Sequence, residues 1–314
     1  MRKHSTTRDR MSLLLAIVAV LLLGLSLTVA AATAAPHGHK PAKKHKRGKA
    51  RKAVTPLSGI YDACSVSEPK RTPLPNCADR LAALHQGGFQ VVLNYWSDSM
   101  SLEDNLTYAA EAEAQGMRVI WNLSNYRGDN TLEPKLELVQ ATMSLPVTWG
   151  YYIGDEVRPE NRAAVAQLSA SVRGMTRKPL MFVSRPNASL MKPFRKLADY
   201  IGPDDYPYGP FDPSVCRTSQ WATKATRNPV MVLQAYSWSI DFTNYQPYWP
   251  SAGQMRQMRN QATRCGDPKL LMWFCFHCIT DYNPDPDSYW RQLAWAANGV
   301  TLGPDYRMSS VSAG

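Results

Sequence analysis

The sequence contains few histidines, and most of them lie near its start. Four of the six fall within the first 45 residues, which leaves only His85 and His277 for the rest of the 314-residue chain. Histidine is the commonest metal ligand, and a catalytic zinc ion takes three protein ligands. A zinc centre built on three histidines is therefore excluded beyond residue 45, and we expect no metal.

Motifs that bind nucleotides or activate a serine are also missing. The chain has no G-x-G-x-x-G turn for a dinucleotide and no G-x-x-x-x-G-K-[ST] loop for a nucleoside triphosphate. The G-x-S-x-G elbow of serine hydrolases is absent as well. We therefore expect neither a nucleotide cofactor nor any other cofactor.

The net positive charge of the chain comes entirely from its first 52 residues. The net charge is +11, and residues 1–52 hold twelve Lys or Arg against a single acid, Asp9. The remaining residues balance 24 basic against 24 acidic side chains. A nucleic-acid partner would need a folded basic face, and a neutral domain offers none.

The first 35 residues resemble an export segment. A charged stretch, 1–10, precedes an uncharged run, 11–35, that ends in the small residues Ala32-Thr33-Ala34-Ala35. This order predicts a cleaved signal peptide, and the alternative is an uncleaved membrane anchor, since the run is long enough to span a bilayer. We expect a secreted or cell-surface protein.

A basic linker, 36–55, follows the export segment. Residues 36–52 carry eight positive charges and no bulky apolar side chain, so we expect them to be disordered. The linker is interpreted either as an electrostatic tether to an anionic cell-envelope polymer or as a plain solvated spacer.

Six cysteines follow the linker, and an even count in an exported chain favours disulfides, although fifteen pairings are possible. Cys64 with Cys77 would close a short loop, and Cys216 with Cys265 would join two late helices. Cys275 and Cys278 form a C-x-x-C. A redox C-x-x-C should open a helix after a strand, whereas we predict a turn after this one, so the redox interpretation is disfavoured.

From residue 56 the chain repeats an apolar run, a polar loop and a helical stretch. The apolar runs are continuous, as expected for buried parallel strands. Eight strands are predicted: Leu57–Asp62, Phe89–Trp96, Arg118–Ser124, Val147–Asp155, Leu180–Arg185, Asp199–Asp204, Val230–Tyr236 and Leu270–Phe276. Eight helices are predicted between and after them: 77–86, 101–116, 132–143, 159–173, 188–197, 213–226, 253–264 and 286–297.

This count and length predict an α/β fold, a single (β/α)8 TIM barrel over residues 56–314, which we expect to be monomeric. A doubly wound open sheet is the alternative, but its glycine-rich turn is absent. In a TIM barrel the functional residues lie where the strands end. The strand ends here carry carboxylates, amides, aromatics and an arginine: Asp62, Asn94, Trp96, Trp121, Asn122, Asp155, Glu156, Arg185, Asp204, Asp205, Tyr206, Gln234, Tyr236, Trp238 and His277.

Such a set suits a carbohydrate. Aromatic faces stack on sugar rings, polar side chains bond the hydroxyls, and paired carboxylates supply the chemistry of glycosidic cleavage. The run Trp149-Gly-Tyr-Tyr-Ile-Gly-Asp155-Glu156 resembles the G-[WY]-Y-x-x-[DN]-E that ends strand four in many TIM-barrel glycoside hydrolases of clan A. The resemblance implies that Glu156 is a general acid/base.

Two further segments resemble the same group. Asp204-Asp205-Tyr206-Pro207 is similar to its D-x-Y-P after strand six, and the segment from Pro229 to Tyr236 is similar to strand seven of exported glycosidase-like proteins. The strand-seven segment departs from the group at one position, because retaining clan A enzymes end strand seven with a nucleophilic Glu and this chain has Gln234. A neutral amide cannot form the glycosyl ester.

Three interpretations remain. Asp204 or Asp205 could be the partner of Glu156, as a base that activates water; the acetamido group of the substrate could attack; or the barrel could bind sugars without hydrolysing them. We take Glu156 as the acid and Asp204 as its base or electrostatic partner, with the other strand-end residues orienting Glu156 or contacting the sugar. Carboxyl groups roughly 5–9.5 Å apart would favour hydrolysis.

Overall fold

The computed structural model describes residues 55–67, 73–124, 132–208, 214–242 and 244–311. The predicted export segment and nearly all of the predicted linker lie outside these ranges. None of the helices within them combines the length and hydropathy that a bilayer-spanning segment needs.

Eight parallel strands close into a barrel in which each strand pairs with its neighbours in the chain and β1 pairs with β8. The predicted α/β TIM barrel is therefore confirmed. The strands are β1 (Leu57–Asp62), β2 (Val91–Asn94), β3 (Arg118–Asn122), β4 (Thr148–Asp155), β5 (Leu180–Ser184), β6 (Tyr200–Asp205), β7 (Asn228–Gln234) and β8 (Leu270–Phe274).

Helices cover the outside of the barrel, and most of them begin at a side-chain cap. Asn76, Ser101 and Ser251 each accept a hydrogen bond from a backbone N–H in the first turn that follows. The helices in the described ranges are α1 (Cys77–Gln86), α2 (Leu102–Ala114), α3 (Leu132–Thr142), α4 (Arg162–Met175), α5 (Ala188–Met191), α6 (Val215–Ala225), α7 (Ala252–Cys265), α8 (Phe276–Tyr282) and α9 (Pro286–Asn298).

Successive side chains of each strand point alternately into the barrel and toward the helices, as the period of a strand requires. Leu93, Val183 and Met272 belong to an apolar cluster inside the barrel. Their neighbours along the strands, such as Val92 and Phe182, belong to the larger cluster between strands and helices. The two clusters define which strand-end residues can reach the lumen.

The chain after β8 differs from the prediction. The strand was expected to reach Phe276 and to be followed by a turn, but it ends at Phe274 and α8 begins at Phe276. Phe276 and Ile279, one helical turn apart, are both fully buried, so tertiary packing stabilises this seven-residue helix. The C-x-x-C therefore does open a helix after a strand, contrary to the prediction, but the strand is part of a TIM barrel.

Three disulfides join cysteines of the described chain. Cys64–Cys77 fastens the segment after β1 to α1, and Cys216–Cys265 joins α6 to α7. These are the two pairings that the sequence suggested. Cys275 and Cys278 form the third disulfide, across the first turn of α8.

A buried ion pair anchors β1 to α1. The guanidinium of Arg80 is fully buried and donates from Nε to Asp62 Oδ2 at 2.9 Å, with a second contact from Nη2 to Oδ1. Arg80 also donates to the Thr280 hydroxyl at 3.1 Å, which ties α1 to α8. Two buried charges held in this way are costly to separate, because removing one of them leaves the other buried without an opposite charge.

The Asp62→Ala substitution should therefore lower the free energy of unfolding by about 3–5 kcal/mol, since it leaves the Arg80 charge buried without its main partner. Chemical denaturation of the purified protein measures the loss. The matched control is Glu160→Ala, which removes an exposed acid 3.9 Å from Arg158 and should change the same quantity by less than about 0.5 kcal/mol. Equal stability of the Asp62 variant and wild type would contradict this role.

Candidate functional site

Glu156 and Asp204 meet at the carboxyl end of the barrel. Glu156 directly follows β4, and Asp204 is the second-last residue of β6, on the side of the strand that faces the lumen. The two carboxyl groups influence each other, because Glu156 is among the causes that raise the pKa of Asp204.

Burial makes Asp204 the member of this pair that keeps a proton. Its side chain is 5% exposed, and desolvation raises its pKa well above the usual range of an aspartate. The hydrogen bond to Glu156, the charge of Glu156 and the charge of Asp155 raise this pKa further. Burial and the neighbouring acids thus favour the protonated form of Asp204.

Glu156 is held in a strained backbone conformation. Its φ is 46°, and among the described residues no other non-glycine residue has a positive φ. The left-handed region costs such a residue roughly 1–2 kcal/mol, and strain of this kind is concentrated at functional sites. Its Oε2 accepts a hydrogen bond from Arg185 Nε at 2.7 Å, and this bond raises the pKa of the Arg185 guanidinium.

Asp155, next to Glu156, is fixed by two tyrosine hydroxyls. Tyr95 donates to Oδ2 and Tyr152 donates to Oδ1, each at 2.7 Å. Burial, followed by the charge of Asp155, raises the pKa of both tyrosines well above the usual range, so both remain hydrogen-bond donors. Asp155 therefore places a stabilised negative charge beside the Glu156–Asp204 pair.

Aromatic rings form the floor of the site. The Tyr61 ring centroid lies 5.3 Å from that of Tyr95 and 5.4 Å from that of Phe274. Tyr236 lies 5.2 Å from Tyr206 and 5.3 Å from Phe274. This apolar layer excludes water from below the carboxyl groups, which strengthens electrostatic interactions among them.

A cleft of about 600 Å³ opens beside the acid pair, over the ends of β2, β3 and β4. Its volume lies within the range of small-molecule sites. Asn122 is fixed there, because its Nδ2 donates to the Tyr95 carbonyl at 2.9 Å. Four of the predicted site residues line this cleft: Trp96, Asn122, Asp155 and Glu156.

No protein-family model matches the chain, and no curated protein matches it. A chitinase from Bacteroides thetaiotaomicron shares the fold, with a TM-score of 0.53 and 10% identity over 81% of this chain and 100% of that one. The spore cortex-lytic enzyme SleL from Bacillus megaterium QM B1551 has a TM-score of 0.51 and 8% identity over 79% of this chain and 74% of that one.

An FMN-binding beta-glucuronidase from Facaelibacterium prausnitzii L2-6 has a TM-score of 0.51 and 10% identity over 73% of this chain. The chain spans 38% of the length of this beta-glucuronidase. It spans 28% and 54% of the lengths of two other solved structures that it matches. These structural neighbours include TIM-barrel glycoside hydrolases, and at such low identity the likeness shows the fold alone.

Some predicted site residues face the helix layer and not the cleft. The Trp121 indole donates to the Thr148 hydroxyl at 2.9 Å, and Asp205 accepts a hydrogen bond from Thr218 of α6. Asp62 is held by Arg80, as described above. The alternation of strand side chains sends four of the predicted residues outward: Asp62, Asn94, Trp121 and Asp205.

Asn94 and Gln234 use their amides to hold backbone. Asn94 accepts from the N–H of Cys64 at 3.1 Å and donates to the carbonyl of the same residue at 2.8 Å. Gln234 accepts from the N–H of Tyr208 at 2.8 Å and donates to the carbonyls of Tyr208 and Tyr236 at 2.9 and 3.0 Å. Gln234 therefore fixes the backbone at Tyr208, after β6, and at Tyr236, after β7.

The remaining predicted residues lie on the β6–β8 side of the lumen. The Trp238 ring is 5.5 Å from that of Tyr236 and 5.9 Å from that of Tyr206. His277, in α8, lies edge-on to Phe274 at 6.1 Å. Among the described residues, the group that could hold a metal is Cys275, His277 and Cys278, and both of its sulfur atoms are engaged in a disulfide.

Sequence reasoning missed three inward-facing residues of the site, Tyr61, Tyr152 and Phe274. They belong to the lumen cluster or lie against it, and Phe274 lies two positions from the core residue Met272. Counting positions along each predicted strand would have found them.

The Asp204→Asn substitution should stabilise the protein at neutral and alkaline pH. Because the folded-state pKa of Asp204 is raised, its stabilising contribution is complete below the unfolded pKa of about 3.9 and is lost as the pH rises through the folded pKa. Asparagine stays neutral throughout. Thermal unfolding should show a higher Tm for the variant than for wild type at about pH 8, and a difference that shrinks toward about pH 3.

Asp205→Asn is the matched control on the opposite face of the same strand. It weakens the hydrogen bond from Thr218 and should lower the free energy of unfolding by about 1–3 kcal/mol at neutral pH. A gain from Asp205→Asn, or a loss from Asp204→Asn at alkaline pH, would contradict the assignment of the buried proton.

Replacing Gln234 with glutamate should destabilise the protein. The new carboxylate would face the carbonyl oxygens of Tyr208 and Tyr236 without a proton to donate, at a cost of about 1–3 kcal/mol that grows as the pH rises. Urea unfolding measures it. In the control Gln254→Glu, the side chain still accepts from the Ser251 N–H in a capping box, so stability should change by less than about 0.5 kcal/mol.

Proposed function

We propose that this protein is an exported glycoside hydrolase that acts on a polysaccharide or a cell-envelope glycan. The observation that carries the proposal is that Glu156 and the buried Asp204 lie together over an aromatic floor, beside a cleft of about 600 Å³ that Glu156 lines. Glycosidic cleavage needs a carboxyl group that is protonated near neutral pH, and burial in apolar surroundings provides one.

In this mechanism Glu156 donates the proton and Asp204 stores it. In the free enzyme the exposed Arg185 guanidinium pairs with Glu156. A sugar that enters the cleft displaces Arg185, and the proton of Asp204 passes to Glu156. Glu156 then protonates the glycosidic oxygen as the bond to the anomeric carbon breaks. The charge of Asp155 stabilises the cationic character that develops on the sugar.

The burial of Asp204, which is 5% exposed, disfavours it as a base that activates water. Gln234 cannot attack the sugar either. The attacking group is therefore the acetamido group of an N-acetylated sugar, another carboxylate, or a water molecule that another carboxylate activates. Trp96 and Asn122 on one side of the pair, and Tyr206 and Trp238 on the other, are the proposed sugar contacts.

Export is part of the proposal. The three disulfides fit an oxidising compartment, since such bonds are rare in the cytosol. The signal-like segment and the basic linker would then deliver the barrel to the cell surface and hold it near an anionic envelope polymer.

A screen of glycans for release of reducing ends tests the activity. Glu156→Gln should lower kcat by about 10²–10⁴-fold on any substrate found, because a glutamine cannot relay the proton. Glu160→Gln, which changes an exposed acid four residues away, should keep wild-type activity. Equal turnover by wild type and Glu156→Gln would remove Glu156 from the mechanism.

Gln234 motivates a second candidate, a glycan-binding barrel that has lost hydrolysis. Its amide already serves the loops after β6 and β7, which is a structural use of the strand-seven position. Calorimetric titration with the same glycans distinguishes the two candidates. Binding of equal strength by wild type and Glu156→Gln, with no turnover by either, would favour the binding protein.

A further inference from the structure

The loop after β7 carries an acid, Asp241, at the edge of the lumen. A short 3₁₀ helix spans Trp238–Ile240, with Ser237 as its N-cap and Asp241 as its C-cap. The buried Ser237 hydroxyl accepts a hydrogen bond from the Tyr248 N–H at 2.9 Å, which closes the loop on itself. The position of Asp241 is therefore set by a folded loop.

The turn that holds Asp241 packs on the floor of the site. The Asp241 N–H donates to the Trp238 carbonyl at 3.2 Å, and the Trp238 ring lies 5.5 Å from Tyr236 and 5.9 Å from Tyr206. The carboxyl group itself remains at the surface of the site, because Asp241 is an exposed residue. A sugar and a water molecule can both reach it.

Asp241 and Glu156 interact without touching. Partial burial and the charge of Glu156 raise the pKa of Asp241, and the Tyr236 hydroxyl opposes this. Among the described hydrogen bonds none joins Asp241 to Glu156. The two carboxyl groups lie on opposite sides of the lumen, since the loop of Asp241 follows β7 and Glu156 follows β4.

The other acids near Glu156 are less suited to react with a sugar. Asp204 is buried, and both oxygens of Asp155 accept hydrogen bonds from tyrosines. Inverting glycosidases need an acid and a base on opposite faces of the sugar, with space for a water molecule between them. Asp241 meets this requirement by position and by access.

We propose that Asp241 is the catalytic base, supplied by the loop after strand seven in place of the glutamate that the strand itself lacks. This inference rests on the proposed hydrolase function. Asp241 takes a proton from a water molecule as the water oxygen forms its bond to the anomeric carbon. The bond to the leaving sugar breaks at the same time, and the leaving oxygen takes the proton of Glu156. Water is added overall, and the anomeric configuration is inverted.

The test uses a glycan that the screen shows to be cleaved by wild type. Asp241→Asn should lower kcat by about 10²–10⁴-fold with little change in KM, because a neutral amide cannot accept the proton of water. Asp305→Asn, an exposed acid on a distant loop, is the matched control and should keep full activity. An unchanged Tm for Asp241→Asn verifies that the variant folds.

Two further measurements separate a base from a merely structural residue. Azide added to Asp241→Ala should restore cleavage and yield a glycosyl azide, since the anion needs no base. NMR of the first wild-type product should show an inverted anomer. Asp241→Asn with kcat within threefold of wild type, a retained anomer, or no rescue by azide would each overturn the proposal and leave the hydrolase function standing. Wild type that cleaves no glycan would overturn both.

Discussion

Closure of the eight strands into a barrel is the constraint on which the site depends. Each strand can send only alternate side chains into a narrow lumen, so the residues that enter it at the carboxyl ends are forced into contact. Glu156 after β4 and Asp204 in β6 are far apart in the chain, and they interact because the lumen brings the two strand ends together. The same alternation sends Asp205, the next residue, against Thr218 of α6.

The arrangement around this pair is costly for the folded state and useful for chemistry. A buried carboxylic acid beside two other acids and a glutamate with φ of 46° both oppose folding. The tyrosine hydroxyls on Asp155 and the guanidinium on Glu156 offset part of this cost. Natural proteins tolerate such local conflicts mainly at functional sites, which is why their coincidence at one end of the barrel supports a catalytic role.

The sequence predicts the barrel well, because its eight apolar runs and its helix caps are local signals. It also predicts which acids lie near strand ends. Position at a strand end does not distinguish inward from outward side chains, and Asp62, Asn94 and Trp121 face outward. The helix α8 was missed because its seven residues are stabilised by burial of Phe276 and Ile279. The contact of Glu156 with Asp204 and the approach of Asp241 are tertiary, and no local pattern encodes them.

The account depends most on the proton that Asp204 keeps and shares with Glu156. Carbon-13 NMR of the labelled aspartate carboxyl groups, followed over a pH titration and assigned with Asp204→Asn, measures it directly. The account predicts that Asp204 remains protonated at neutral pH in wild type and titrates at a lower pH in Glu156→Gln, where a neighbouring charge is removed. A wild-type Asp204 that titrates near the ordinary aspartate value of about 3.9, unaffected by Glu156→Gln, would contradict it.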